Sequence, residues 1–328
     1  MPLTLRATHP GDFPQCLEIT HDRFLFETQK SRADLFNFWG KILAGRLAMS
    51  IVVEDSGRPQ GKNIVGFGLS FFATRDFARE ARTTLPPFLP QQVLRRWKKG
   101  KGDNPFLDPQ EVAHANAHGG LSVVALHYGV ELRKFFLLEW PARLKMVDGW
   151  KSLYSGFQIF EYLHEVYGPG EKKNMLAAGC VVRRDYAEAL DLSPLVRDAR
   201  PFLTGVDVGE ALKKPGIPSL MFTFSPPLFG FSQGEQEVLE KALGGGIDRD
   251  IAPALRLTVW AVDKRWQRIY AKVEKVEPSI LGPEGKKNDQ EYQKTRRRFL
   301  LDYLRDHMEE MRPYAPDRPA AKKKRGKP

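Results

Sequence analysis

Trp260, Lys264, Gln267 and Arg268 lie along a stretch in which Val262, Trp266, Ile269 and Val273 recur at intervals of four, three and four. On a helix this spacing buries the second set and turns the first outward. Lysine and arginine reach phosphates or guanine acceptors, and glutamine pairs with adenine. The chemistry on offer is recognition of duplex DNA by a helix in the major groove. Thr258 is the expected N-cap of that helix, Arg265 flanks the face, and Lys272 and Arg256 are placed for phosphate contact. The expected DNA-binding set is therefore Thr258, Trp260, Lys264, Arg265, Gln267, Arg268, Lys272 and Arg256.

A helix of this kind needs neighbours to hold it. Ser232-Gln-Gly-Glu235 has the form of a capping box, and Val238, Leu239 and Ala242 follow on one side. Gly244-Gly245-Gly246 ends that helix, because glycine takes positive φ angles without strain. Asp248 is the expected N-cap of a second short helix through Ile251, Ala252 and Leu255, with Pro253 early in it. Residues 231–273 thus predict three helices and two tight turns. The segment resembles the DNA-binding domain of LuxR-type helix-turn-helix transcription regulators. Phe231, Ser232, Glu235, Glu237, Val238 and Leu239 match the opening of that pattern. Gly245, Asp248, Ile251 and Ala252 match its middle, and Leu257, Thr258, Val262, Ile269, Lys272 and Val273 its close. Asp263 stands where a lysine is usual, so Lys264 or Arg265 takes over the base contact, or Asp263 accepts from a cytosine amino group.

The chain has 328 residues and a net charge of +11, with 42% hydrophobic and 28% charged residues. That length predicts more than one folded unit, and that charge a polyanionic partner. Basic runs lie at Arg95–Lys101, Arg296–Arg298 and Lys322–Lys327, each equally readable as a solvated face or tail. No apolar run reaches the roughly 18–20 residues of a membrane span, and no signal stretch opens the chain, which predicts a cytoplasmic protein without a membrane partner. Cys16 and Cys180 predict small core residues rather than a disulfide or thiolate metal site. His114 and His118 lie four apart, with His127 further on, and are read as loop histidines rather than metal ligands.

From Leu3 to about Tyr186 strand-like and helix-like patterns alternate. Leu3–Ala7, Leu47–Val53 and Ile64–Phe72 read as strands, with helices near Gly11 and over Leu35–Leu43. Leu121–Leu126 reads as a strand, Lys134–Trp140 as strand or helix, and Ser155–Val166 as a helix. The order resembles the GNAT acetyltransferase fold. That resemblance implies an Arg/Gln-x-x-Gly-x-Gly/Ala loop whose amides hold the coenzyme A pyrophosphate. The expected place before the helix at 155–166 reads Trp150-Lys-Ser-Leu-Tyr-Ser-Gly-Phe157, where Gly156 alone does not make that loop.

The expected fold is an α/β or α+β GNAT-like domain over 1–186, used for sensing or assembly, plus an all-α helix-turn-helix domain over 228–276. A Pro-rich connector spans 187–227, a loop and amphipathic helix 277–312, and a disordered basic tail 313–328. The expected function is a bacterial DNA-binding transcription regulator without enzymatic activity, cofactor or metal. Its partners are double-stranded DNA, a second copy of the chain in a homodimer, and an unidentified small-molecule ligand at the N-terminal domain. The alternative is an acetyl-CoA-dependent N-acetyltransferase with an appended binding module.

Overall fold

The computed structural model describes residues 3–100, 103–131, 139–186, 200–282 and 290–316. Contacts divide the chain into two compact units. The first comprises Met1–Val112 and Gly119–Thr223, the second Ala113–His118 and Phe224–Pro328. Among the described residues no helix is long and apolar enough to cross a membrane.

The first unit is built on β1 (Leu3–Ala7), α1 (Phe13–Ile19), α2 (Gln29–Ala44), β2 (Ala48–Asp55), β3 (Ile64–Ala73), α3 (Arg75–Thr83) and α4 (Leu89–Lys99). After α5 (Pro109–Ala117) come β4 (Leu121–Val130), α6 (Glu139–Tyr154), β5 (Ile159–Tyr167), α7 (Gly168–Ala177), β6 (Val181–Asp185), β7 (Pro201–Asp207) and α8 (Val208–Lys213). The seven strands form one mixed sheet in the order β1-β2-β3-β4-β5-β7-β6. Every described pairing is antiparallel except β4 with β5.

The sheet is covered on both sides, which is why its central strands are buried almost throughout. One face carries Phe38, Trp39, Phe71, Phe77 and Leu163 in the main core, and the other a smaller cluster around Ile51, Val53, Val65 and Met146. All ten residues of β3 are buried.

That two-sided burial explains one misreading. The run 155–166 is not a helix, because Ile159–Tyr167 is strand β5, paired with β4 on one side and β7 on the other. A strand buried on both faces is a near-continuous apolar run, so Phe157, Phe160, Leu163 and His164 satisfy a helical spacing by accident.

The connector expected over 187–227 is corrected as well. Residues 187–199 lie outside the described residues, but β7 is inserted between β5 and β6 and is buried over most of its length. Pro201 occupies its first position, where a missing amide is tolerated. Residues 134–138 of the strand-or-helix segment also lie outside the described residues, and Glu139–Trp140 open α6. The basic run 95–101 falls mainly on the end of α4, where Arg96 bonds Glu80 (2.5 Å) and Lys98 bonds Asp34 (2.6 Å).

The second unit contains α9 (Gln233–Leu243), α10 (Asp248–Ala254), α11 (Val259–Val276) and α12 (Gln290–Asp306). Its core joins Val238, Leu239 and Ile251 with Val262, Trp266, Ile269 and Val273, the stripe expected of the third helix. Leu300, Leu301 and Leu304 of α12 belong to that same core, so the helix is part of the unit rather than an appendage.

Glu235 reaches back to the Ser232 amide (2.7 Å), and the Thr258 hydroxyl accepts from the Ala261 amide (3.1 Å). Asp248 is not the cap of α10. Ile247 holds that place, and Asp248 Oδ1 accepts instead from the Trp266 indole (3.1 Å) and Arg297 (2.7 Å). The tail residues 317–328 lie outside the described residues.

Candidate functional site

β4 and β5 run parallel from Leu121↔Ile159 to Ala125↔His164, with a register shift after Leu121, and there their pairing stops. β4 continues to Val130 against β3, while β5 continues to Tyr167 against β7. The carboxyl ends of the one parallel pair therefore part. In open α/β sheets such a parting is where ligands lodge.

The chain after α1 enters beside the vacated edge of β4, where the His21 amide donates to the Tyr128 carbonyl (3.2 Å). Gly129 permits this approach, since a Cβ there would stand 2.0 Å from the Ile19 carbonyl oxygen.

On one side of the parting lies a cavity of about 580 Å³. Tyr128, Tyr162 and His164 rise into it from the sheet. Met146, Val147 and Trp150 line it from α6, Glu171 and Met175 from α7, and Ile217, Leu220 and Met221 from a 3-10 turn after α8. α6 lies close on the sheet because Gly149 bears no side chain. A Cβ there would meet Ile51 at 2.3 Å.

His164 is the buried titratable group of this wall. Burial lowers its pKa to about 3, the charge of His21 adds to the effect, and Asp22 opposes it. At neutral pH it is an uncharged imidazole, and its Nδ1 has no hydrogen-bond partner. Burial likewise pushes the Tyr162 hydroxyl far above its usual range. Near them Glu171 stands 3.7 Å from His21 and 3.8 Å from Arg143. The wall thus offers an uncharged imidazole as hydrogen-bond acceptor, the phenols of Tyr128 and Tyr162, and an ion cluster in a largely apolar chamber.

Sequence reasoning did not find this site, because it placed His164 on the face of a helix. The available signal was three ionisable residues, Glu161, His164 and Glu165, set among large apolar ones.

The expected DNA-binding residues all lie in the second unit. Trp260 is 69% exposed at the start of α11. Lys264 donates to Gln267 (2.9 Å) and Gln267 to Asp263 (2.8 Å), so these side chains form one surface row, with Arg268 exposed beside them. Thr258 caps the helix, and Arg256 is exposed at the preceding turn with φ +53°.

Two others turn inward. Arg265 donates to the Gly234 carbonyl (2.7 Å), and Lys272 to Glu235 (2.7 Å) and the Gly230 carbonyl (2.8 Å). In the basic run at 296–298, Arg296 pairs with Glu274 (2.6 Å) and Arg297 with Asp248 (2.7 Å).

The three histidines weighed for a metal separate. His114 and His118 stack at 4.3 Å, whereas His127 lies buried in β4. Among the described residues no group of three or more His, Cys, Asp or Glu side chains has the arrangement of a metal site. Cys16 and Cys180 are buried, and burial raises both thiol pKa values, Cys180 to about 12.

No family model matches the chain, and no curated protein does. Solved structures do resemble it. A chimera of the spermidine N-acetyltransferase of Vibrio cholerae with hSSAT aligns at 14% identity and a TM-score of 0.36, covering 65% of this chain and 99% of that one. The Vibrio cholerae spermidine N-acetyltransferase in complex with CoA and spermine aligns at 14% identity and a TM-score of 0.37, covering 64% and 98%. The enzyme in complex with manganese ions gives 14%, 0.36, 64% and 95%.

These neighbours are enzymes, and the expectation of a chain without enzymatic activity is withdrawn. At such identities and scores the likeness assigns this chain no substrate.

Proposed function

We propose that the first unit transfers an acyl group from a coenzyme A thioester to an amine at the parting of β4 and β5. The observation that carries this reading is the divergence of the parallel strand pair β4 and β5 beside a cavity walled by the neutral His164, whose Nδ1 has no partner.

The residues present fit such a donor in part. Met146, Val147, Met175 and Met221 suit the apolar arm of a pantetheine chain, and Arg143 and Lys151 on α6 suit its anionic end. Between β4 and α6 the sequence Glu131-Leu-Arg-Lys-Phe-Phe-Leu-Leu138 has no glycine and departs from the expected pyrophosphate loop. Residues 132–138 lie outside the described residues.

A thioester supplies an activated acyl carbonyl, and this chain's residues supply placement and a hydrogen-bond acceptor. His164 Nδ1 is a buried acceptor without a partner, and a hydrogen bond made to it is strengthened by the low-dielectric surroundings. Tyr128 and Tyr162 flank it with rings at 5.9 and 6.2 Å.

Calorimetric titration with acetyl-CoA, followed by thiol release in the presence of an amine panel, tests the reading. Binding is expected at micromolar to low millimolar concentration, with transfer lowered roughly 10²-fold in His164→Phe. No binding at millimolar concentration and no thiol release would overturn it.

For the second unit we propose double-stranded DNA as partner, bound by a homodimer on half-sites about one helical turn apart. The exposed row Trp260, Lys264, Gln267 and Arg268 supports this reading, with Thr258 and Arg256 at the helix start. Arg265 and Lys272 hold α9 to α11 in the free protein. Selection of bound sequences from a random DNA pool tests it, and failure to enrich any sequence counts against it. The regulatory signal would then be a small molecule in the cavity of the first unit.

A further inference from the structure

The direction of the cavity follows from the topology around it. α6 ends shortly before β5 begins, and α7 starts as β5 ends. Residues late in both helices, Trp150 and Lys151 on α6 and Ala177 and Ala178 on α7, therefore lie back along the paired part of β4 and β5. From Arg143 to Lys151 the α6 wall is about 12 Å long. The cavity is thus a groove that runs from His164 at the parting toward the amino ends of the two strands.

Polar groups gather near the parting, where Glu171 meets Arg143 at 3.8 Å and Asn174 at 3.3 Å. Farther along, Trp150, Tyr162, Ala178, Ile217 and Leu220 make an apolar lining, with Lys151 exposed at its edge. Tyr162 is only 1% exposed and forms the floor with Trp150, their rings 5.1 Å apart. Trp150 lies down on β3 because Gly68 bears no side chain. A Cβ there would stand 3.0 Å from the indole nitrogen.

The rim decides what fits. Leu144, Ile217 and Leu220 are 49%, 49% and 44% exposed, and all three line the groove. Exposed apolar side chains gathered round an opening mark a binding groove, since covering them releases their hydration water. A volume of about 580 Å³ suits a small molecule rather than a partner's helix about 10 Å across. An acetyl group held at the parting leaves this lining uncovered. A longer chain continues into it and covers floor and rim together.

Resting on the acyl-transfer reading, we propose that the donor is a thioester of a medium-chain apolar acid, such as octanoyl, and that Trp150, Tyr162, Ala178, Ile217 and Leu220 hold its acyl chain. These residues are distinct from the four that suit the pantetheine arm. In the transfer the amine nitrogen forms the C–N bond at the thioester carbonyl, the C–S bond breaks, and the amine proton leaves on the sulfur, giving amide and thiol. The groove selects the chain that is moved.

Calorimetry of the full chain with acetyl-, butyryl- and octanoyl-CoA, each below its micelle concentration, reads the groove without turnover. Octanoyl-CoA is expected to bind at least about tenfold more tightly than acetyl-CoA, full burial of one methylene being worth about fourfold. Leu220→Glu and Ile217→Glu are expected to cut the octanoyl-to-acetyl ratio at least about fivefold, and Leu220→Met to keep it. Leu212→Glu, at a 77% exposed position outside the lining, is expected to leave the ratio as it is, which separates the groove from general surface adhesion. Thermal unfolding checks that each variant is folded.

Equal affinity for acetyl- and octanoyl-CoA, or a ratio untouched by both glutamate variants, overturns the proposal. Octanoate, titrated in parallel, carries the chain without a thioester. Octanoate binding that Leu220→Glu weakens, with no thiol release from any thioester, removes the acyl-transfer reading and keeps a groove for an apolar chain. Thiol release from acetyl-CoA with no gain on lengthening the acyl group removes the groove proposal alone.

Discussion

The parting of β4 and β5 and the outer row of α11 are both polar, yet they stand at opposite ends of an energetic scale. Asp22, His127, His164 and Glu165 are each 7% exposed or less and carry unpartnered atoms, which is destabilising by about 1–3 kcal/mol apiece. Trp260, Lys264, Gln267 and Arg268 sit at or near the surface, where polar groups keep their water. In the second unit Glu235 is tied to Lys272, Asp248 to Arg297, and Glu310 to the amides of Leu228 and Phe229. The contrast teaches that unsatisfied burial marks a site assembled against stability, whereas a surface row identifies a partner only through its chemistry.

Four experiments break or sharpen that contrast. The largest effect is expected from Trp266→Ala, which opens the helical core and removes one of the donors to Asp248. Unfolding of the second unit should be favoured by about 3–5 kcal/mol, read by denaturant titration, while acetyl-CoA binding by the first unit is retained.

Glu165→Gln comes next. The pKa of Glu165 in the folded chain lies above its unfolded value of 4.5, so its stabilising contribution is present below about pH 4.5 and lost as pH rises toward about 7. Above pH 7 the variant should exceed the wild type in stability by up to about 3 kcal/mol, and below pH 4.5 the two should converge. Equal stability of the two proteins at pH 8 would remove Glu165 from the strained set.

Thr258→Ala should weaken the start of α11 by about 1 kcal/mol, seen as faster amide exchange over the first turn. The smallest effect is expected from Lys264→Ala and Arg268→Ala. Each should leave stability within about 0.5 kcal/mol and, on the DNA reading, lower the salt dependence of binding by about one unit of slope. An unchanged affinity and slope in the double variant would leave the row without a nucleic-acid role.

Much of the secondary structure was legible in the sequence. β1, β2 and β3 followed from apolar runs with a turn-rich break at 55–63, and α11 from its stripe and its Thr258 cap. Asp248 was misjudged because a good capping residue type does not reveal that Trp266 and Arg297 compete for its carboxylate. β5 and β7 were misjudged for a different reason. Burial on both faces erased the alternation that identifies a strand, and the prolines around 194–218 imitate a linker.

The candidate site was hardly legible at all. Tyr128 sits in β4, Tyr162 and His164 in β5 and Glu171 in α7, and none carries a local motif.

What the sequence determined by itself is therefore local: which stretches are amphipathic, where helices start, and which face of α11 turns to water. Periodicity and capping act over a few residues, so they can be read without knowing the fold. Tertiary structure alone decided that Tyr128, Tyr162 and His164 line one cavity where two strands part. That meeting depends on sheet order and register, and the perturbed proton affinities of His164 and Glu165 arise only once the surrounding core excludes water.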